Sequence, residues 1–242
     1  PHPRVRMMCA LVMGSSSENI SRTKQMNALV KIIKADIGDT WSRLAITSGI
    51  GADAASFIQA LLKNTDASVQ ADSDLLVESL SRTVGRAKKL EEIRLVLALL
   101  TNGDAAVSEG TQSHILTGLI SGIADSKDDA VVLRDDAALM SALNALNTID
   151  SLTIRLHTWT LMSQLGIPVT ETYAEELKKS RAIVANKKQA AETRLAHLGL
   201  LKFDREEYRI PLLFDLLNPT EPADLQGESI GQLTDLRKAS IA

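Results

Sequence analysis

At 242 residues the chain is long enough for one large domain or two small ones, and an apolar share of 45% gives it the material for a core. Aromatics make up only 3%, so Ala and Leu must fill that core, which suits close helix–helix contact. A net charge of −3 offers nucleic acid no general basic surface, and a single cysteine, Cys9, excludes an internal disulfide and a cysteine metal cluster.

In chain order the apolar spacing predicts helices almost throughout. Pro3 suits a first helical turn, and Val5, Met8, Cys9 and Val12 fall on one face, with Cys9 expected as a small buried residue beside Ala10 and Leu11. Ser15–Ser17 reads as a loop, followed by a helix over Ser21–Ala35 that carries Met26, Leu29, Val30 and Ile33. After the turn Asp36–Asp39, the stretch Asp39–Gly51 (DTWSRLAITSGIG) is the clearest unit. Asp39 or Thr40 can accept from the free N–H groups of the first turn, Trp41, Ala45 and Ile46 form the stripe, and Gly49 and Gly51 can end it. Ala52–Lys63 follows at once with Phe57, Ile58, Leu61 and Leu62 inward. Asn64–Asp72 is polar and reads as a loop, and Leu75, Leu76, Leu80 and Val84 mark a helix stopped near Gly85.

Lys88–Thr101 has a stripe of Leu90, Ile93, Leu97 and Leu100, and Asn102-Gly103-Asp104 breaks it. Ile115, Leu116, Leu119, Ile120 and Ile123 mark the next helix. Asp135–Asn147 with Ser151–Leu165, Thr170–Ala185 with Lys187–Leu201, and Tyr208–Leu217 with Asp224–Leu236 then read as three antiparallel pairs, the first ended by Gly166-Ile167-Pro168 and the last joined by the turn Asn218–Pro222. No run alternates with period two, so a substantial sheet is not expected. The longest apolar run, Gly110–Ala124, is interrupted by polar residues and is shorter than the ~20 residues of a membrane span. Short helices in successive pairs predict an all-α fold, an α-solenoid of antiparallel helix pairs over a single domain, 1–242. The spacing between units is uneven, and an irregular helical bundle is the alternative. The chain opens at Pro1 with no initiator Met and is expected to be a fragment of a longer protein.

Reactive patterns are weighed against plainer readings. Ser21-Arg22-Thr23-Lys24 matches Ser-x-x-Lys, but no Ser-Asp-Asn or Lys-Thr-Gly follows, and a helix cap before a solvated lysine accounts for it. His2, His114, His157 and His197 include no pair at i, i+3 or i+4, so no single helix offers two metal ligands. Adjacent acids (Glu91/Glu92, Asp128/Asp129, Asp135/Asp136, Glu175/Glu176) point about 100° apart on a helix and do not converge on one atom. Trp41 and Trp159 could anchor a partner, but both lie in apolar stripes and are expected in the core. No catalytic, cofactor-binding or metal-binding residue is therefore assigned.

The segments Pro3-Arg4-Val5-Arg6 with Ala10-Leu11, Asp39–Ala45 and Thr193-Arg194-Leu195-Ala196 resemble the start of a HEAT second helix. Four pieces, Arg4–Gly14, Asp39–Leu62, His114–Ala124 and Leu212–Leu233, together resemble the helical region of large secreted planctomycete-type proteins, in which a membrane-bound-dehydrogenase-like propeller is followed by HEAT-like helices and a c-type haem domain. The family's Cys-x-x-Cys-His haem motif is absent. The resemblance implies an extracytoplasmic, non-catalytic scaffold or spacer without a cofactor of its own, whose partners are proteins or neighbouring domains of the same chain. Nucleic acid and membrane insertion are not expected. The alternatives are an enzyme or cofactor-handling domain on a HEAT-type lyase-like scaffold, and a cytosolic HEAT interaction module.

Overall fold

The computed structural model describes residues 2–15, 21–50, 53–64, 67–101, 107–126 and 136–239. Among them every regular element is helical. The order is α1 (Pro3–Ser15), α2 (Arg22–Asp36), α3 (Thr40–Ile50), α4 (Ala54–Asn64), α5 (Ala67–Ala87), α6 (Leu90–Thr101), α7 (Glu109–Asp125), α8 (Ala137–Asn147), α9 (Leu152–Gln164), the single turn α10 (Val169–Thr172), α11 (Ala174–Ala185), α12 (Ala191–Leu200), a 3-10 turn (Leu201–Phe203), α13 (Glu206–Asp215) and α14 (Ala223–Ala239). None of these helices is long and apolar enough to cross a membrane. Contacts divide the chain, which the sequence reading keeps together as one domain, into two compact units: Pro1–Asp150 with Gln164–Gly166, and Ser151–Ser163 with Ile167–Ala242.

In the first unit the helices stack in two rows. One row runs through the contacts α1·α3, α3·α5 and α5·α7, the other through α2·α4, α4·α6 and α6·α8. Chain neighbours such as α1 and α2 or α3 and α4 also touch, which places successive helices in opposite rows. Each helix turns an apolar stripe to its neighbours: Leu29 and Ile33 of α2, Ile46 of α3, and Phe57, Ile58 and Leu61 of α4 are fully buried. Such a ladder is solenoid-like, since each hairpin finds its core against the next.

The closest contact is α5 against α7. Hydrogen-bonded pairs run in the same sense on both helices: Thr111 Oγ1 donates to Asp74 Oδ1 at 2.7 Å, His114 Nδ1 lies 2.6 Å from Glu78 Oε2, and Arg86 Nη2 donates to Asp125 Oδ2 at 3.2 Å. The two helices are therefore parallel, with partners 37, 36 and 39 residues apart. Between these polar pairs the backbones touch. A Cβ on Gly118 would overlap the Glu78 carbonyl oxygen, one on Gly122 that of Arg82, and one on Gly85 that of Leu119.

In the second unit Trp159 of α9 is the hub, fully buried as the stripe predicts. Its ring stacks on Tyr173 (5.0 Å between centroids) and meets Phe203 edge-on at 5.9 Å. The expected pairs α11·α12 and α13·α14 are in contact. Arginine–carboxylate links fasten the loops: Arg194 Nη1 reaches Glu221 Oε2 at 2.7 Å with both side chains buried, and Arg181 Nη1 reaches both oxygens of Asp204.

Several expectations change. Val5, Met8, Cys9 and Val12 share the predicted stripe, but all are exposed; Ala10 of α1 is fully buried, and the helix packs on α3. Trp41 is 69% exposed, because it sits in the first turn of α3 and faces an open groove beside Met7 and Met8 of α1, while Ala45 and Ile46 enter the core. The polar stretch Asn64–Asp72 is helical from Ala67, since Ala, Gln and Ser tolerate a helix whatever their polarity. Gly85 does not stop α5; it admits α7, and the helix turns off at Lys88, whose φ of 49° is left-handed. The single helix expected over Thr170–Ala185 breaks at Tyr173, the ring that stacks on Trp159. Asn102-Gly103-Asp104 lies outside the described residues.

Candidate interaction surface

Asp39 fixes the start of α3 as expected. Its Oδ2 accepts from the Ser42 backbone N–H at 3.0 Å and from the Ser42 hydroxyl at 2.8 Å, and those bonds hold its pKa below the ordinary carboxylate value. Arg43 Nη1 reaches the Ile37 carbonyl at 2.7 Å and locks the preceding turn. Together these contacts set Trp41 at the mouth of a groove of about 600 Å³ against Arg4, Met7 and Met8.

A second groove, about 420 Å³, runs between α1 and α2. Val5, Cys9 and Met13 line it from α1, and Ala28, Ile32 and Ala35 from α2, with Arg6 and Lys31 at its rim. The two helices are tied across it: Arg6 Nε donates to Asp36 Oδ2 at 2.6 Å, a second Arg6–Asp36 contact is closer still, and this pairing holds the Asp36 carboxyl below its ordinary pKa. With the exposed Val12, Leu11 and Leu44, α1 and α3 carry most of the exposed large apolar side chains among the described residues of the first unit.

The residues weighed for chemistry do not assemble. Ser21 and Lys24 are exposed at the head of α2, where Ser21 makes no side-chain cap bond. His2 Nδ1 accepts from the Arg4 N–H at 3.3 Å, in the exposed first turn. His114 lies in the α5–α7 seam, and His197 pairs through Nδ1 with the Ser180 hydroxyl at 3.0 Å, its pKa pushed down by burial and then by Arg155. His157 is half-buried on α9. Glu91 is exposed and Glu92 meets Lys89, while Glu175 and Glu176 lie in the first turn of α11. Asp136 caps α8 through the Leu139 N–H at 2.7 Å and takes Arg94 Nε at 3.0 Å. Asp128, Asp129 and Asp135 lie outside the described residues. Among the described residues no three His, Cys, Asp or Glu are placed to hold a metal.

One charged cleft, about 520 Å³, occurs in the second unit between the 3-10 turn, α13 and α14, lined by Lys202, Glu206, Arg209, Glu228, Gln232 and Asp235. Several of its polar groups hold elements together, while Arg209 Nε and Gln232 Oε1 are buried without a hydrogen-bond partner. Lys202 Nζ donates to Thr160 Oγ1 at 3.0 Å over the Phe203 ring, Arg209 Nη1 donates to the Lys202 carbonyl at 2.6 Å, and Gln232 Nε2 bridges the Leu198 carbonyl and Glu228. Burial pushes the Lys202 and Arg209 pKa values down. The cleft contains no histidine, and Ser163 lines it together with Lys202 and Glu228.

Sequence reasoning missed the α1–α2 groove and the polar pairs of the α5–α7 seam. One signal was present: Asp74 and Thr111 are 37 residues apart, and Arg6 and Arg43, in two segments that resemble the start of a HEAT second helix, are separated by the same interval. Searched against known proteins, the chain matches no family model, no curated protein and no solved structure.

Proposed function

We propose that this chain is a non-catalytic helical-repeat scaffold of HEAT-like type, which holds protein partners or neighbouring domains through surfaces along its stacked hairpins. The observation that carries this reading is the parallel register of α5 on α7, where partner residues recur at 36 and 37 positions, continued by the same-row contacts from α1 to α7 and from α2 to α8. An array in which each hairpin leans on the next presents long faces to partners without enclosing a reaction chamber. The exposed apolar residues of α1 and α3 suit such contacts. In the planctomycete-type proteins that the sequence resembles, this role would be that of a spacer, outside the cytoplasm, between a dehydrogenase-like propeller and a c-type haem domain.

The test is hydrogen exchange on the purified chain carrying Leu29→Ala, a cavity in the α2 stripe. The amides of α1–α4 are expected to exchange faster while those of α7 and α8 keep wild-type protection, because stability in a stacked array passes between neighbours. Uniform acceleration from α1 to α8 would overturn the repeat reading. A stoichiometric metal or haem in the same preparation, measured by elemental analysis and absorption, would overturn the non-catalytic one.

A further inference from the structure

We propose that the groove between α1 and α2 is the docking site for an amphipathic α-helix that carries acidic side chains beside its apolar stripe. The inference rests on the scaffold reading and names the chemistry of its partner. Three features of the groove lead there.

The first is direction. At about 100° per residue, Ala28, Lys31, Ile32 and Ala35 lie on the side of α2 opposite Met26, Leu29, Val30 and Ile33, the residues it buries. The same rows that bring α4 to α2 and α3 to α1 are thus continued, on the far side, by a second apolar face. A helix laid there would extend an interface that unit 1 already uses between its own helices.

The second is shape. Cys9, Ala28 and Ala35 are small, and Val5, Met13 and Ile32 rise around them. Small residues between larger ones let a helix approach closely and still find walls for its own side chains.

The third is charge. No acidic residue occurs in α1, and the exposed Lys31 of α2 lies at the groove rim. The one carboxylate of α2, Asp36, is taken by Arg6. The surface is therefore apolar with a basic edge, which favours an acidic flank on the incoming helix and disfavours a second copy of the same α1–α2 face.

Cys9 is the chain's only thiol, is exposed and lines the groove, so its rate of reaction with a soluble aromatic disulfide reports occupancy. The probe is a synthetic helical peptide of about 16 residues, long enough to span four turns, with Leu at i, i+3, i+4 and i+7 and Glu on both flanks. It is compared with the same peptide carrying Lys flanks and with a scrambled sequence. On the full chain the Glu-flanked peptide is expected to slow the Cys9 reaction saturably and to bind about tenfold tighter than its Lys-flanked form. Lys31→Glu should erase that preference, and Ile32→Asp should abolish protection with helix content unchanged by circular dichroism.

Equal slowing by the scrambled peptide, no slowing by any peptide, or preference for Lys flanks would overturn the proposal. Slowing that grows with the chain's own concentration, together with a dimer in sedimentation, would also overturn it and give the groove to a second copy. The hydrogen-exchange pattern of Leu29→Ala involves no peptide, so loss of the docking site and loss of the scaffold reading are separable results.

Discussion

Trp159 and Trp41 have similar neighbours along the chain and opposite surroundings in space. Trp159 is enclosed by Tyr173 and Phe203, and truncating such a ring removes both its buried area and two aromatic contacts. Trp159→Ala should therefore cost about 3–5 kcal/mol in urea denaturation. Trp41→Ala should stay within about 0.5 kcal/mol, as for an exposed side chain. The reverse order, or equal losses, would mean that the groove beside Met7 and Met8 is closed in solution. Emission spectra check the same point independently: Trp159→Phe should leave a red-shifted, solvent-exposed signal from Trp41. Helical spacing cannot separate the two residues, because it says which residues share a face and not what that face meets. Cys9 escaped the sequence reading for the same reason.

Among the elements, α5 and α7 depend on the absence of side-chain atoms where their backbones cross. Gly118→Ala places a methyl group against the Glu78 carbonyl, and neither helix can retreat without breaking Thr111–Asp74 at one end or Arg82–Asp125 at the other. A loss of about 1–3 kcal/mol is expected, in line with overpacking. The control is Gly227→Ala, an open position in α14, where the added methyl meets nothing and should stabilise by about 0.5–1 kcal/mol. Thermal unfolding of the two variants reads both signs, and a neutral Gly118→Ala would show that the seam is looser than its geometry. The stripes themselves were legible, because a one-sided helix has one economical way to pack: the marked residues of α2 and α4 are all buried, and in α6 Ile93, Leu97 and Leu100 are, while Leu90 is half-buried. Boundaries were less so. Gly85 looks like punctuation in a sequence, yet with Gly118 it serves close approach, and polarity at Asn64–Asp72 hid a helix whose residues have adequate propensity. The candidate groove was illegible because Ala28, Ile32 and Ala35 read as the weaker side of an amphipathic helix, and only coordinates place them across from Val5 and Met13.

For the molecule as a whole, charge pairing sets a direction for stability against pH. Arg6 holds Asp36 below the ordinary carboxylate pKa, Arg82 and then Arg86 do so for Asp125, and Arg194, with Lys187, does so for Glu221. A carboxylate whose folded pKa is depressed contributes stability that is complete above its unfolded value, near 4, and is lost as pH falls through the lower folded one. His197 acts in the same direction from a higher starting point. Burial lowers its folded pKa, so the unfolded chain takes up the proton first and stability begins to fall as pH drops below about 6.5. The urea midpoint should therefore decline gently on the acid side of neutrality and steeply below about pH 4. Salt separates the contributors, since the Arg82/Arg86–Asp125 cluster is partly exposed and screened, while Arg194 and Glu221 are buried. Glu221→Gln leaves Arg194 buried without its counter-charge and should cost about 3 kcal/mol at pH 7, the scale of breaking a buried pair. The same variant has no carboxylate to protonate at that position, so its steep acid limb should shrink relative to wild type and the two curves should approach each other as pH falls. Parallel curves, displaced by a constant amount down to the lowest pH, would show that the pair holds the Asn218–Glu221 turn by shape and not by charge.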